Sequence, residues 1–595
     1  MAARMLDKDR LGHLLQQSAQ GMRCFGAEVD PKPQMGSQIN GLLERLVEPN
    51  RRDSEMTNRI ESHSQYSLQD KGVSVLLRRD YLEPGDSPLR TASNGARPGR
   101  LVLASHRGPI EYHRGRDGRL EARHGSGGLA TALSGLAPLA DFAWVASAMT
   151  EGDRQMALRH GASKIQLGSG QCRYRLVTLP RHTYDLHYGV FSNPILWFLH
   201  HSLWGSLKSP NTRQKMRRAW ESGYLPANRA FARAIVEELK GSQQPSYVMI
   251  QDYHLYMCPC YVREMAPQAI LQHFLHIPWP APEVWEDMPQ EFTTAICQSL
   301  LATDIVGFQT AASARNFLLT CEAFLPQVAA DYTRAEISWR GHRTKARVYP
   351  ISVDVDGLRI RMASPAVVRH RERLARLTGR YTIVKVDRLD PIKNVVRGLE
   401  AFALLLQRHP ELVGEVKLLA FLVPSRRSIP EYREYALQVS QRVAEINARY
   451  ARNGWHPIEA FEENNYSQAI AGMSLYDALL VNSLADGMNL VSKEGPIVNQ
   501  RNGVVVLSRG AGSYNELRQG VLGIEPLDIE STAAALWQAL QMPEGERRAR
   551  ARHLRKVVEE HDLRAWLDDQ LEDLEELAAE RAAPLSLAAT GMIAS

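Results

Sequence analysis

The sequence predicts an α/β protein with two Rossmann-like units that face a central cleft, preceded by an N-terminal extension. Short apolar runs, typical of strands buried on both faces, recur through residues 99–555. These runs alternate with helical patterns, which implies right-handed crossovers and therefore parallel sheets. Several runs end in a polar or glycine-containing turn, and ligands of open α/β sheets bind at the carboxyl ends of the strands.

The composition is that of an ordinary globular protein, with 595 residues, 44% hydrophobic residues and a formal net charge of +6. The basic residues are dispersed, which does not favour a nucleic-acid partner. No apolar run approaches the roughly 20 residues that span a bilayer, and the N-terminus lacks the apolar core of a signal peptide. We therefore expect a cytoplasmic protein with no membrane partner.

The six cysteines do not predict a metal site. Cys258 and Cys260 are the only close pair, and no second pair completes a zinc-binding pattern. His273 and His276 are three residues apart on a predicted strand, which would place them on opposite faces. We expect reduced thiols and no bound metal.

Shifts in composition divide the chain into five segments. The first is polar, partly disordered or helical, and ends in a linker. Two Rossmann-like domains follow, then an amphipathic helix and a frayed tail. The predicted segments are 1–98, 99–358, 359–555, 556–581 and 582–595.

The apolar runs locate the strands. In the second unit they are bounded by Gly, Pro or charged turns, and the last helix carries a stripe of leucines opposite a row of acids. The predicted strands are 101–105, 142–145, 247–255, 270–277 and 304–308, with 348–354 closing the first unit, then 381–387, 416–423, 477–481 and 503–508; the last helix is predicted over 561–580.

The turn after the predicted strand 477–481 combines two kinds of binding group. Asp486 and Glu494 flank a probable helix start, and their carboxylates suit the hydroxyls of a sugar or ribose. The backbone amides of residues 487–490 suit an anion at a helix N-terminus. The pattern fits a nucleotide-sugar, and it also fits an ordinary βα turn with a capping Asp.

Three further patterns each allow a functional and a structural interpretation. The glycine-rich turn 124–133 is neither a Walker loop nor a dinucleotide fingerprint, so it is either a phosphate cradle or a simple turn. Arg388 and Lys393 follow a strand and suit a diphosphate, unless they are ordinary surface cations. The aromatic run 184–204, with three interspersed histidines, suits sugar stacking or a core.

Taken in order, these motifs resemble trehalose-6-phosphate synthases, which are retaining glycosyltransferases of the twin-Rossmann GT-B type. The resemblance covers roughly residues 100–520. The motifs that carry it are Ser-His-Arg-Gly-Pro around Arg107, Ser126–Leu129, Tyr188 to Trp197, Asp252–Leu255, His276–Pro280, Arg388-Leu389-Asp390 with Lys393, Pro424-Ser425-Arg426, and Asp486–Leu490 with Lys493-Glu494.

The resemblance implies a role for each matching position. The donor nucleotide-sugar would be a substrate, so no cofactor and no metal are implied, and the acceptor would be a sugar phosphate. The implied catalytic residues are Asp252, His276, Arg388 and Lys393; the donor-binding residues are Gly127, Gly128, Arg388, Lys393, Asp486, Gly487, Met488, Asn489, Leu490 and Glu494; and the acceptor-binding residues are Arg107, Tyr188, Trp197, Asp252 and Arg426.

The implied reaction transfers glucose from a nucleoside-diphosphate-glucose (UDP, GDP or ADP) to a sugar phosphate, most simply to form α,α-trehalose 6-phosphate. Arg388 and Lys393 would stabilise the leaving diphosphate, and the acceptor hydroxyl would attack from the leaving-group side. No carboxylate nucleophile of the glycosidase kind is then required, and Asp252 would orient the acceptor. A homo-oligomer is compatible with the sequence.

Departures from the family pattern keep two alternatives open. Ser147 stands where the family has a Trp, Pro391 and Asn394 replace Tyr and Gly, and residues 483–485 replace Pro-Leu-Arg. The first alternative is the same fold with another phosphorylated acceptor, as in glucosylglycerol-phosphate synthases or cyclitol-coupling pseudoglycosyltransferases. The second is an inactive regulator that binds sugar phosphate.

Overall fold

The strongly apolar runs of the sequence form the central strands of two sheets. The computed structural model describes residues 100–115, 119–124, 142–167, 170–203, 212–241, 245–427 and 429–582. The predicted N-terminal extension and the residues of the tail after Ala582 lie outside these ranges.

The first sheet has ten strands in the order β10-β11-β12-β9-β8-β7-β1-β4-β6-β5. Its interior is parallel, whereas β5 pairs antiparallel with β6 at one edge and β10, β11 and β12 pair antiparallel at the other. A hairpin, β2–β3, lies outside this sheet. The strands are β1 Leu101–Ser105, β2 Ile110–Arg114, β3 Leu120–His124, β4 Phe142–Ser147, β5 Ala162–Leu167, β6 Gly170–Val177, β7 Tyr247–Gln251, β8 Ile270–Phe274, β9 Ile305–Phe308, β10 Ala329–Asp331, β11 Glu336–Trp339 and β12 His342–Val348.

The second sheet has six strands in the order β15-β14-β13-β16-β17-β18, and all of its pairings are parallel. Apolar side chains cover both of its faces, which explains why its strands read as nearly continuous apolar runs. The strands are β13 Tyr381–Arg388, β14 Val416–Val423, β15 Ile458–Phe461, β16 Ala478–Val481, β17 Val504–Ser508 and β18 Leu522–Ile524.

Helices connect the strands and cover the sheets. One of them contains a π-helical stretch with an internal proline, Pro194, which cannot donate a backbone hydrogen bond. The α-helices are Glu151–His160, Arg181–Tyr184, Trp197–His200, Thr212–Ala219, Leu225–Leu239, Cys258–Met265, Pro282–Trp285, Gln290–Leu300, Ala311–Phe324, Val355–Met362, Pro365–Ala375, Val395–Arg408, Pro430–Tyr450, Tyr466–Met473, Val491–Val498, Tyr514–Leu517, Ile529–Gln541, Glu544–Glu560 and Leu563–Ala582; the π-helices are Asp185–Leu196 and Trp220–Tyr224; short 3-10 turns are Tyr253–Leu255, Pro391–Lys393 and Pro410–Leu412.

Each sheet reverses its strand order beside its first strand in the sequence. In the first sheet the reversal lies between β1 and β7, and in the second it lies between β13 and β16. A crevice forms at the carboxyl ends of the strands on either side of such a reversal. The strand ends at the two reversals carry Arg107, Asp252, Arg388 and Asp486.

The last helix, Leu563–Ala582, returns from the second unit and packs on the first sheet. Leu563, Trp566 and Leu574 join the apolar cluster that contains β1, β4 and β8 side chains. The Tyr349 hydroxyl lies 2.5 Å from Asp573, and the chain crosses between units a second time where Leu563 donates its backbone N–H to the Val353 carbonyl at 3.1 Å. The chain first passes from the first unit to the second just after Val353 and returns just before Leu563, so the two crossings lie side by side.

The predicted fold class is confirmed, with differences in where some elements begin and end. The predicted strand 247–255 ends at Gln251, because the chain turns sharply at Asp252. The predicted strand 270–277 ends at Phe274, and in the stretch 348–354 that closes the first unit only Val348 belongs to a strand, β12. The last helix begins at Leu563, since the preceding helix continues to Glu560. Within the described ranges, no helix has the length and apolar character needed to cross a membrane.

Candidate active site

The loop after β16 lies directly against the first unit. A Cβ atom added to Gly487 would stand 1.9 Å from the backbone carbonyl oxygen of His276, so only glycine permits this approach. Met488 is 3% exposed and belongs to the apolar cluster of the first sheet. Asn489 adopts a left-handed conformation with φ of 72°. The predicted donor loop therefore forms part of the boundary between the two units.

An ion pair joins the two loops of the second unit that were predicted to bind the donor. Lys393 Nζ contacts Asp486 Oδ2, and Asn489 Nδ2 donates to the same oxygen at 3.1 Å. Burial alone would raise the pKa of Asp486, but the Lys393 ammonium lowers it below its ordinary value. The pair places one positive and one negative group at the reversal of strand order between β13 and β16.

Asn394 explains how the chain tolerates a departure from the family pattern. It has φ of 54° and ψ of 37°, the left-handed region in which Asn is one of the few non-glycine residues found regularly. Its side chain donates to the Asn482 carbonyl at 3.1 Å, and Asn482 Nδ2 donates back to the Asn394 carbonyl at 3.0 Å. Beneath them the fully buried Lys385 pairs with Asp387 at 2.8 Å. Hydrogen bonds between Asn394 and Asn482 thus hold the loop after β13 against the loop after β16.

Trp197 of the first unit lies beneath two arginines of the second unit. The guanidinium carbon of Arg388 is 5.6 Å from the centre of its ring, and that of Arg426 is 4.1 Å away. Such contacts are favourable because the face of an aromatic ring is electron-rich. The predicted donor cation and the predicted acceptor cation therefore meet at one aromatic side chain.

Two residues that the sequence interpretation did not assign to the site hold Arg426 in place. Asp390, which is fully buried, accepts from Arg426 Nη1 at 3.3 Å and lies 3.8 Å from Arg388 Nη2. The Tyr253 hydroxyl, from the first unit, accepts from Arg426 Nη2 at 3.3 Å. Asp390 could have been found from its place in the Arg-Leu-Asp motif. The role of Tyr253 depends on the approach of the two units, which no local pattern reveals.

Arg107 and Tyr188 occupy the adjoining part of the cleft. Burial would raise the pKa of Tyr188, but Arg426 and Arg107 together lower it, so the hydroxyl lies near both cations. The Tyr188 ring stacks on His106 with 4.6 Å between ring centres and 10° between planes. The predicted acceptor residues Arg107, Tyr188, Trp197 and Arg426 are therefore brought together.

Asp252 occupies a strained turn at the end of β7, with φ of 72° and ψ of 170°. Its Oδ1 accepts the backbone N–H of His276 at 3.3 Å. Burial raises the pKa of Asp252 to about 7, although hydrogen bonds from His276 and Tyr253 and the nearby arginines oppose that shift. The carboxyl group therefore changes its charge near neutral pH.

His276 is held as a neutral imidazole. Its Nε2 lies 2.9 Å from Gln251 Oε1, and its Nδ1 lies 3.4 Å from Gln309 Nε2, so an Nε2-protonated ring satisfies both contacts. Burial lowers the pKa of His276 to about 3. Gln251 and Gln309, which the sequence interpretation missed, orient the ring.

Glu494 lies one helical turn from the donor loop. The Tyr466 hydroxyl donates to its Oε1 at 2.7 Å. Burial raises the pKa of Glu494 to about 7, against the opposing effects of Tyr466 and Arg361. Its neighbour Lys493 is turned away from the cleft and pairs with Glu516 at 2.7 Å.

Some predictions lie beyond the geometry seen here. Gly127 and Gly128 lie outside the described residues. Ser147 is 2% exposed at the end of β4, and its hydroxyl has no hydrogen-bond partner in the described parts of the chain.

Over the ranges that the structure describes, no three His, Cys, Asp or Glu side chains are grouped as a metal site would require. The five cysteines in these ranges are unbridged.

Comparison with known proteins identifies similar chains. Residues 99–576 match glycosyltransferase family 20. The α,α-trehalose-phosphate synthase (UDP-forming) of Schizosaccharomyces pombe is 33% identical over 480 residues, which are 78% of this chain and 88% of the relative. The corresponding protein of Pichia angusta is 30% identical over 495 residues, covering 80% of this chain and 99% of the relative.

Solved structures agree with the sequence relatives. A structure described as trehalose-6-phosphate from E. coli bound with UDP-2-fluoro glucose superposes with a TM-score of 0.70 at 27% identity, covering 80% of this chain and 99% of the other. A UDP-forming α,α-trehalose-phosphate synthase from Burkholderia xenovorans in complex with glucose-6-phosphate gives 0.69 at 29% identity, covering 80% of this chain and 100% of the other.

Proposed function

Because the chain belongs to glycosyltransferase family 20, we propose that it transfers glucose from UDP-glucose to glucose 6-phosphate and releases α,α-trehalose 6-phosphate and UDP. The choice of UDP and of glucose 6-phosphate is supported by what similar proteins form and bind. It goes beyond the general assignment of a nucleotide-sugar donor and a phosphorylated acceptor.

The observation that carries this proposal is the position of Trp197 beneath Arg388 and Arg426. A donor diphosphate held by Arg388 and Lys393 and an acceptor phosphate held by Arg426 and Arg107 would both be anchored around one indole ring. Two phosphorylated substrates fit this arrangement better than one, since the cations come from separate loops.

The chemistry requires little beyond charge stabilisation and positioning. The C1–O bond between glucose and the diphosphate breaks, and negative charge develops on the departing phosphate, where Arg388 and Lys393 stabilise it. The acceptor hydroxyl forms the new C1–O bond on the same face, and its proton passes to the departing phosphate oxygen. Asp486 and the amides of residues 487–490 hold the donor sugar, and Asp252 orients the acceptor hydroxyl.

One observation favours a second candidate, transfer to a different phosphorylated acceptor. Ser147 is buried at the end of β4, where the family has a Trp, so a small hydroxyl replaces a large aromatic ring at this position. Pro391 and Ala485 also remove side chains that the family carries. A changed acceptor, such as glycerol 3-phosphate or a cyclitol phosphate, would leave the diphosphate-binding cations unchanged.

A matrix of donors and acceptors tests both candidates. UDP-, GDP- and ADP-glucose would each be incubated with glucose 6-phosphate, glycerol 3-phosphate and an aminocyclitol phosphate, and the products identified by mass spectrometry. A trehalose 6-phosphate product formed from UDP-glucose supports the first candidate. Turnover with only another acceptor supports the second. No transfer in any combination would support the alternative of an inactive sugar-phosphate-binding regulator.

A further inference from the structure

His201 presents a buried hydrogen-bond acceptor that no other described residue uses. The residue is 2% exposed, and its Nδ1 lies 2.7 Å from the Trp197 carbonyl oxygen. A carbonyl oxygen can only accept, so Nδ1 carries the proton and Nε2 carries a lone pair in the neutral ring. In the described parts of the chain, His201 Nε2 has no hydrogen-bond partner.

The ring stays neutral at physiological pH. Burial lowers the pKa of His201 to about 4, although the Trp197 carbonyl, Asp390 and Asp486 oppose that shift. A neutral ring with a free lone pair cannot bind an ionised phosphate oxygen, because both atoms are acceptors. It requires a donor, and the donors that a sugar offers are its hydroxyl groups.

His201 belongs to the wall where the two units meet. Its ring lies 4.3 Å from the ring of Trp197, and it interacts electrostatically with Asp390, Asp486 and Arg426 of the second unit. The Trp197 Nε1, a donor, is also buried without a partner among the described residues. One acceptor and one donor therefore lie unused next to each other, a combination that matches hydroxyl groups, which both donate and accept.

The neighbouring His200 is as buried as His201, but both of its ring nitrogens have partners. It is 1% exposed and is the last residue of the short helix Trp197–His200, directly before His201. Its Nδ1 is 2.7 Å from the Pro278 carbonyl oxygen, and its Nε2 is 2.8 Å from the Tyr256 hydroxyl. Both nitrogens of His200 are thus satisfied within the protein, whereas His201 Nε2 has no partner among the described residues. His187 and His273 also have unpaired ring nitrogens there, but of these three only His201 lies against Trp197.

We propose that His201 is a specificity-determining residue whose Nε2 accepts a hydrogen bond from one hydroxyl of the bound hexose beside Trp197. This rests on the proposed function, because it requires that a hexose enters the cleft. The hexose is either the glucose of the donor or the glucose of the acceptor, and the hydroxyl is recognised by the same chemistry in both.

The test measures how each hydroxyl contributes to catalysis in the parent enzyme and in His201→Asn. The Asn amide can still donate to the Trp197 carbonyl, but it has no atom equivalent to Nε2. Rates are measured with single-deoxy versions of the donor glucose and, separately, with single-deoxy versions of glucose 6-phosphate. In the parent enzyme, removal of the contacted hydroxyl is expected to lower kcat/KM by about 3- to 10-fold through this bond. We call the kcat/KM with the complete sugar divided by the kcat/KM with the deoxy sugar the deoxy ratio. In His201→Asn the deoxy ratio should fall close to one.

The position of the effect identifies the source of the hydroxyl. A collapse of the ratio for one donor hydroxyl assigns His201 to the donor sugar, and a collapse for one acceptor hydroxyl assigns it to the acceptor. His201→Gln, which returns an amide oxygen near the place of Nε2, should restore part of the ratio. If every deoxy ratio is the same in the parent and in His201→Asn, the proposal is overturned.

Two controls separate this result from other failures. His200→Asn removes an equally buried imidazole, and we expect it to lower thermal stability while leaving all deoxy ratios as in the parent enzyme. If the parent enzyme transfers no glucose, the proposed function fails. The same ratios, read as affinities by calorimetry with UDP-glucose, glucose 6-phosphate and their deoxy versions, then still decide whether His201 contacts a hydroxyl.

Discussion

Lys393 and Asp486 pair with each other across the two loops that would hold the donor. Each is the natural partner of a different part of a nucleotide-sugar: the ammonium suits the diphosphate, and the carboxylate suits the sugar hydroxyls. We expect donor binding to exchange this internal pair for two contacts with the substrate.

Lys393→Met should therefore impair both stability and activity. It leaves the Asp486 carboxylate without its cation in a mostly buried place, which we expect to cost about 3 kcal/mol in the free energy of unfolding. Adding Asp486→Asn should recover much of that loss in chemical denaturation, because the buried charge is gone, while transfer remains abolished. Lys417→Met is the matched control: Lys417 pairs with Glu459 at 3.0 Å away from the cleft, so its loss should leave turnover intact. Equal turnover of Lys393→Met and Lys417→Met would contradict a donor role for Lys393.

Arg388→Ala should lower kcat by at least about 100-fold, the usual loss when one group that stabilises developing negative charge is removed. Its side chain is 47% exposed, so the unfolding transition should hardly move. Arg408→Ala removes an arginine of similar exposure, 45%, that pairs with Glu530, and steady-state kinetics should show no loss for it. Near-normal turnover of Arg388→Ala would rule out its diphosphate role.

The pH dependence of kcat/KM should report the charge of Asp252. Its pKa is raised to about 7, so the fraction of the ionised, proton-accepting form falls as the pH drops below that value. We expect activity to decline on the acid side with an apparent pKa near 7. His276 is not the origin of this decline, because its pKa lies near 3 and it stays neutral throughout.

Glu494 also has a pKa near 7, so two variants are needed to assign the acid limb. Asp252→Asn should give a low kcat that does not depend on pH between about pH 5.5 and pH 8, the interval on either side of that pKa. Glu494→Gln should retain the limb in kcat and mainly raise the KM of the donor. A limb that disappears only in Glu494→Gln would transfer the assignment from Asp252 to Glu494.

Arg426→Ala should raise the KM for glucose 6-phosphate by about 10- to 100-fold, the value of a hydrogen bond to a charged group. The same variant should act weakly on any residual transfer to unphosphorylated glucose. Because the fully buried Asp390 loses a partner, the melting temperature should fall as well. An equal loss with both acceptors would show that Arg426 contributes through structure and does not contact the phosphate.

Treatment with EDTA should leave turnover unchanged, because Arg388 and Lys393 already place two positive charges where the leaving diphosphate would lie. The measurement is the initial rate before and after chelation and dialysis. A loss of rate that returns on addition of Mg²⁺ would bring a metal ion into the mechanism.

The central strands could be predicted from the sequence because they are buried on both faces. Residues 101–105 and 416–423 are apolar almost throughout, and the structure confirms both as strands. The strands at and near the edges could not be predicted in this way. β12, with the sequence His-Arg-Thr-Lys-Ala-Arg-Val, is the third strand from one edge, and β5 is the strand at the other edge. Both strands mix polar or charged residues with apolar ones, because part of each meets solvent.

The site was predictable to the extent that its residues follow strands. Arg388 and Asp486 each follow a predicted strand, which indicated the carboxyl edge of a sheet. The structure adds that the two strands lie next to each other at a reversal of strand order. The supporting contacts were not predictable, because they join distant parts of the chain. Tyr253 reaches Arg426 and Gln309 reaches His276 only after folding brings the elements together.

The side-by-side crossings of the chain, where Leu563 donates to the Val353 carbonyl, bear on how substrates enter. Two tethers fixed far apart would prevent the halves from separating, whereas two tethers at one place act as a single hinge. We expect the units to rotate about the neighbourhood of Val353 and to open the opposite rim without breaking either connection. Such a rotation would make access for the two proposed substrates compatible with a closed cleft during transfer.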